Sequence, residues 1–202
     1  MTPLEHVTFG ALLDQVASKT PTPGGGAVAG IVGAVAAALG SMVVSYSVGK
    51  KSLLAHEPLL LEAAQTLSRL RDRCMRLGDE DAAAYERLNT LQRLAPDDPE
   101  RAMKYAAAVD EAIGVPLSLA RVCHQALQTL AGLAGRSNPH LKSDLAIAGL
   151  LALAGAEAAR WNVVINLREI ADEARRSEIR AEADRIVAAC GVLKADLDRA
   201  CA

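Results

Sequence analysis

Apolar residues fall at helical spacing along almost the whole of this 202-residue chain, and they predict about seven helical segments and no strands. The first runs from about Leu4 to Ser18, with Leu12, Leu13 and Val16 on one face. The loop Thr20 to Gly26 (TPTPGGG) stops it, because Pro21 and Pro23 disfavour helix in the residues before them. A helix without charge follows from about Gly25 to Val48, and another from Pro58 to about Leu94. Asp98 as cap, Pro99 at the first helical position and Glu100 in the first turn mark a new start. That helix reaches Ile113, kinks or breaks at Gly114-Val115-Pro116, and resumes to about Ala134. Residues 135–142 read as a loop, Ser143 as the cap of a long helix to about Glu173, and Ser177 as the cap of the last one. No linker or repeat divides the chain, so the expected fold is all-α: one helical-bundle domain over residues 1–202.

One helix carries a misfit. With Leu60 at the first apolar heptad position, that position repeats at Leu67, Cys74, Asp81 and Leu88. The second apolar position falls on Ala63, Leu70, Leu77, Ala84 and Leu91. Only Asp81 is charged. A carboxylate on an apolar seam loses hydration, so it must be paired, protonated or bathed by a water-filled pocket. Asp81 is therefore either a functional acid or a structural one bonded to a neighbouring cation or helix end. Asp79 and Glu80 fall off the seam and are expected in solvent, and Gly78 is a candidate local break.

Thr20 to Gly49 contains no charged residue, long enough to span a bilayer. Its small residues stand four apart: Gly26 and Gly30, Ala29 and Gly33, Ala36 and Gly40. Gly and Ala add little transfer energy, and Ser41, Ser45 and Ser47 add polar atoms. No second segment of comparable length follows, and the remaining helices read as amphipathic. A buried helix of a cytoplasmic protein, with no membrane partner, is the expectation. A helix too apolar for water and too small-sided to fill a core alone also predicts close packing, some of it against a second subunit.

Composition narrows the class. Hydrophobic residues make up 51% and aromatics 2%, which suits helices and not a sheet. A net charge of −2 leaves no basic field for nucleic acid. Cys74, Cys123, Cys190 and Cys201 stand far apart and read as reduced thiols; four scattered histidines make no zinc motif. No signal peptide is evident. Asn162 and Asn166 share one helix face among small residues, suggesting a ligand edge or hydrogen bonds across a close helix contact. Asp144 points the same way, but 18 residues at 1.5 Å rise is about 27 Å, too far for one small ligand in one subunit. A dimer would resolve this.

Residues 20–51, TPTPGGGAVAGIVGAVAAALGSMVVSYSVGKK, resemble the opening of the cyclodeaminase domain of formiminotransferase-cyclodeaminase, which stand-alone methenyltetrahydrofolate cyclohydrolases share. The resemblance continues in order through DEDAAAYERL (79–88), VPLSLA (115–120), SDLAIA (143–148) and WNVVINLREI (161–170). The chain departs from the family pattern at Ser45-Tyr46-Ser47 (usually Asn-Leu-Thr), at Tyr85 (usually Phe), at Leu94-Ala95-Pro96 (usually Leu-Pro-Lys) and at Ser137, before Asn138, where Gly is usual.

The resemblance implies a reduced folate with a one-carbon unit at N5 and N10, as substrate of a homodimer that needs no metal or redox cofactor. In cyclodeamination, N10 attacks a formimino carbon on N5 and ammonia leaves. In cyclohydrolysis, water opens the methenyl bridge to the 10-formyl form. Both move protons beside a cationic amidine, work for one carboxylate, and Asp81 matches the family's acid. Gly24, Gly25 and Gly26 open a helix whose free amides could hold a carboxylate or ring edge; the alternative is tight helix entry. Lys50 and Lys51 could bind a polyglutamate tail or simply be solvated at a helix end. Asn138, Asp144, Asn162 and Asn166 complete the candidate binding set, Asp144 being alternatively a first-turn helix acid. Two competing classes remain: a non-catalytic helical dimer that keeps the fold and possibly folate binding, and a single-pass membrane protein built on residues 20–49.

Overall fold

The computed structural model describes residues 3–202 and consists, among those residues, of helices and their connections. After a 3-10 turn, Leu4–His6, come six α-helices: α1 (Phe9–Ala17), α2 (Gly25–Ser45), α3 (Glu57–Gln92), α4 (Pro99–Gly132), α5 (Lys142–Asn166) and α6 (Glu173–Cys201). Further 3-10 turns lie at Lys51–His56, Pro139–Leu141 and Leu167–Glu169.

The bundle is organised around α2, which packs against α3, α5 and, less extensively, α4; α6 closes the far side against α4 and α5. Small residues are what make α2 central. A methyl on Gly30 would lie 2.7 Å from the Cys74 carbonyl and 3.0 Å from the Cα of Gly78. One on Gly33 would meet the sulfurs of Cys74 and Cys123, each at 2.9 Å. Gly78 is thus no break in α3. It is where α3 crosses α2 so closely that the two backbones nearly touch. Cys74 and Cys123, far apart in sequence, meet in the same core, where hydrogen bonding between the thiols and burial push the Cys123 thiol well up.

The seam of α3 is buried at every apolar position from Leu60 to Leu91, Asp81 being only partly so. Three expectations about boundaries need correction. The stretch 4–18 divides, because Thr8 caps α1 by accepting from the Ala11 amide. Of its three apolar residues Leu12 is buried, while Leu13 and Val16 face outward. α5 begins at Lys142 after the Pro139–Leu141 turn, without Ser143 as cap. It ends at Asn166, and α6 starts at Glu173, four residues before Ser177, capped by Asp172, whose Oδ1 accepts from Ala174 and Arg175. Asp98 caps α4 as expected, accepting from Glu100 and Arg101.

The proline expected to break α4 does not. Pro116 is buried inside one continuous helix. It has no N–H for the carbonyl four residues back, that of Ala112. The side chain of Asn166 supplies the missing donor: its Nδ2 lies 2.8 Å from the Ala112 oxygen. The bond joins α5 to α4 at the place where α4 would otherwise fail, so six helices replace the expected seven.

Among the described residues two stretches are long and apolar enough to cross a membrane, Gly25–Ser45 and Pro139–Glu169. The second corrects the expectation that α2 stands alone in this respect. Over half of the apolar window of α2 is buried by its neighbouring helices.

Candidate active site

The Gly-rich loop delivers the N-terminus of α2 against the middle of α3. Gly24 precedes the helix in extended conformation and no side chain caps it, so the first amides of α2 are left for whatever lies in front of them. What lies there is Asp81. A methyl group on Gly26 would collide with the Asp81 carboxylate, so only glycine admits this approach. A methyl on Gly25 would sit 3.5 Å from Oδ1 of Asn162 on α5.

These groups surround a cavity of about 250 Å³ lined by Gly24, Gly25, Gly26, Asp81, Asn162 and Asn166. Tyr85, Leu88, Ile165 and Arg168 add an apolar and aromatic wall and a cation at the rim. Burial alone pushes the Asp81 carboxyl up from 3.8 to about 6; no hydrogen bond or neighbouring cation draws it back. The seam misfit is thus an acid held near neutrality beside a cavity, without a structural partner. Asn162 anchors itself by donating Nδ2 to the Ala158 carbonyl at 2.9 Å, which leaves its oxygen toward Gly25. Asn166, spent on Ala112 through Nδ2, keeps its oxygen free in the same way.

The cavity does not gather every candidate. Lys50 and Lys51 follow the other end of α2, whose 21 residues span roughly 30 Å at 1.5 Å rise. Asn138 is at that end too. Its amide donates to Ser47 Oγ at 2.8 Å, its Nδ2 to the Tyr46 carbonyl at 3.3 Å, and its Oδ1 accepts from His140. It pins the 138–141 turn to the end of α2. Asp144 sits in the first turn of α5, far from Asn162 near its last. Asp79, expected in solvent, accepts from the Leu4 amide at 3.0 Å and holds the N-terminal turn on α3; Glu80 pairs with Arg73 at 2.5 Å.

Tyr85 and Arg168 are polar cavity side chains that the sequence does not mark as site residues. Tyr85 stands one helical turn after Asp81, and that i,i+4 relation would have found it. Arg168 lies in the 3-10 turn after α5, where helical periodicity gives no guide. Among the described residues no three His, Cys, Asp or Glu side chains group as metal ligands.

A family model described as formiminotransferase-cyclodeaminase matches residues 8–185. The chain belongs to this family. It is 33% identical over 190 residues to a methenyltetrahydrofolate cyclohydrolase of Methylorubrum extorquens, covering 92% of this chain and 91% of that one. It is 30% identical over 181 residues to the formimidoyltransferase-cyclodeaminase of Sus scrofa, where the match takes in 88% of this chain but 34% of that protein. The crystal structure of a formiminotetrahydrofolate cyclodeaminase from Thermotoga maritima superposes with a TM-score of 0.89 at 30% identity, covering 97% of this chain and 96% of that one. The chain thus matches one relative nearly end to end and corresponds to about a third of the other, longer protein.

Proposed function

We propose that this family member is a folate one-carbon enzyme that interconverts the bridged and open forms of the unit between N5 and N10. It either closes 5-formiminotetrahydrofolate to 5,10-methenyltetrahydrofolate with release of ammonia, or opens the methenyl form with water to 10-formyltetrahydrofolate. The observation that carries this is Asp81, raised to about 6 by burial and facing a cavity between α2, α3 and α5.

At neutral pH such a carboxyl is mostly ionised, yet a proton placed on it costs little. Its charge favours the cationic amidine. In ring opening it takes a proton from the attacking water as the C–O bond forms. It returns one to N5 as the C–N5 bond breaks, and the hydroxyl proton leaves as the formyl C=O forms. In cyclodeamination the N10 proton passes through it to the departing amine as N10 bonds the formimino carbon. The free amides of Gly25 and Gly26 and the oxygens of Asn162 and Asn166 orient the polar ring edge. No metal or redox group is required in this scheme.

The same reading includes a cytoplasmic homodimer. Support comes from two neighbouring helices with exposed apolar rows: Val28 and Val35 on α2, and Ile147, Leu150, Trp161 and Ile165 on α5. Antiparallel pairing of two α2 helices would carry the Lys50–Lys51 end of one copy toward the cavity of the other, where a polyglutamate tail would emerge. The test is to assay the purified protein on both folates. Turnover of either supports the enzyme; folate binding with turnover of neither marks a non-catalytic relative, and recovery only in detergent marks a membrane protein.

A further inference from the structure

The cavity has two charged lining residues, Asp81 at its inner end and Arg168 at its rim. The Arg168 side chain is 70% exposed, yet it is tethered. Its Nε donates to Glu169 Oε1 at 3.1 Å. The carboxylate of Glu169 is only 18% exposed and is held in turn by the Tyr105 hydroxyl, which donates to Oε2 at 2.6 Å across from α4. Arg101 stacks over the Tyr105 ring at 5.0 Å and donates to the Leu94 carbonyl at 2.8 Å. The backbone of the turn is fixed as well, because Leu167 and Ile170 on either side are buried. A chain of contacts from α4 thus fixes one nitrogen of Arg168 and leaves both terminal nitrogens of the guanidinium without a partner among the described residues. That is the edge that binds a carboxylate bidentately.

The reduced folate of the proposed function is dipolar, with a cationic one-carbon bridge at one end and the glutamate carboxylates at the other. The cavity is dipolar in the matching sense. Its volume of about 250 Å³ falls below the roughly 300–1,000 Å³ of pockets that enclose a drug-sized ligand. A folate's ring and bridge would fill it, and the remainder of the substrate would leave across the rim. The start of α2 is not a competing berth for the carboxylate, because Asp81 already faces Gly26 and would repel a second anion.

We propose that Arg168 receives the carboxylate of the first glutamate of the substrate, and that Glu169 and Tyr105 are the positioning residues that aim it. The inference rests on the folate reading above. The test compares wild type, Arg168→Ala, Arg168→Lys and Tyr105→Phe on the methenyl folate carrying one glutamate and on a counterpart without a tail carboxylate, the methenyl form of tetrahydropteroyl amide, whose benzoyl group ends in a carboxamide. Arg168→Ala is expected to raise KM for the glutamate-bearing substrate by about tenfold, the size of one charge-assisted contact. Its kcat, and its KM for the amide form, should stay within about twofold. Arg168→Lys should recover part of the loss, and Tyr105→Phe should raise KM by a few-fold on the glutamate form alone. Equal losses on both substrates, or a fall in kcat with KM unchanged, would overturn the assignment. Wild-type protein that neither binds nor turns over any folate would instead bring down the folate reading, and this inference with it.

Discussion

At the scale of single residues, Asp81 and Gly26 form one device. The carboxyl sits at about 6 because burial penalises its charge, and a folded-state value above the ordinary 3.8 makes folding favour the protonated form. Below about pH 3 both states hold the proton and Asp81 costs nothing. Between about 4 and 6 the unfolded chain releases it first, and above 6 the full penalty stands, about 2–3 kcal/mol for a shift of this size. Asp81→Asn is therefore predicted to raise the thermal midpoint by about 4–12 °C at pH 8 and to match wild type near pH 3, which calorimetry across that range will check. A structural aspartate would give the opposite sign. Gly26→Ala is expected to keep the helical fold while displacing the carboxylate, cutting turnover by at least about 10²-fold, the lower range for losing an acid–base group; circular dichroism and rate measurement together test this. The heptad pattern made Asp81 legible because a period exposes a misfit. Arg168 was illegible because its position depends on a turn and on Tyr105, 63 residues away in α4, and neither leaves a local pattern.

At the scale of elements, α4 shows why proline rules read from sequence can mislead. Pro116 leaves the Ala112 carbonyl without a donor, and Asn166 supplies one from another helix. In the sequence Asn166 is a polar residue on a small-residue face and Pro116 a helix breaker; their pairing is tertiary and neither segment carries it alone. Asn166→Ala should cost about 1–3 kcal/mol, the range for orphaning a buried backbone acceptor. In a Pro116→Ala background, where the backbone amide returns to that carbonyl, the same substitution should cost much less. A double-mutant cycle by urea unfolding measures the difference, and additive effects would refute the pairing. Close helix contact is likewise testable. Gly30→Ala places a methyl against the backbone of α3 and should cost about 1–3 kcal/mol or more. Gly114→Ala, with nothing within 4 Å, should be stabilising by about 0.5–1 kcal/mol.

For the whole molecule, the all-helical class, most of the order of elements and the buried Gly/Ala helix were readable because each depends on local pattern. The division of the candidate site was less so. Sequence placed Lys50, Lys51, Asn138 and Asp144 in one set with Asp81, whereas the fold separates the two ends of α2 by roughly 30 Å. The predicted helix already puts Gly24–Gly26 and Lys50–Lys51 at opposite ends; what local pattern does not carry is which of those ends faces the cavity. If the proposed dimer unites the two ends, sedimentation will give a stable dimer at micromolar concentration. Lys50→Ala will then weaken binding of polyglutamylated folates more than monoglutamates, by about 0.5–1 kcal/mol per contact and less at high salt. A stable monomer, or equal loss for both tail lengths, would remove that arrangement.

The central claim is that Asp81 moves the proton. The direct measurement is steady-state turnover of Asp81→Asn on 5,10-methenyltetrahydrofolate and 5-formiminotetrahydrofolate, with Asp79→Asn, which keeps the acceptor for the Leu4 amide, as control. The account predicts a loss of about 10²–10⁴-fold for Asp81→Asn, substrate binding within a few-fold of wild type, and near-normal turnover for the control. Unchanged turnover of Asp81→Asn together with a lowered thermal midpoint would show Asp81 to be structural and would contradict the account.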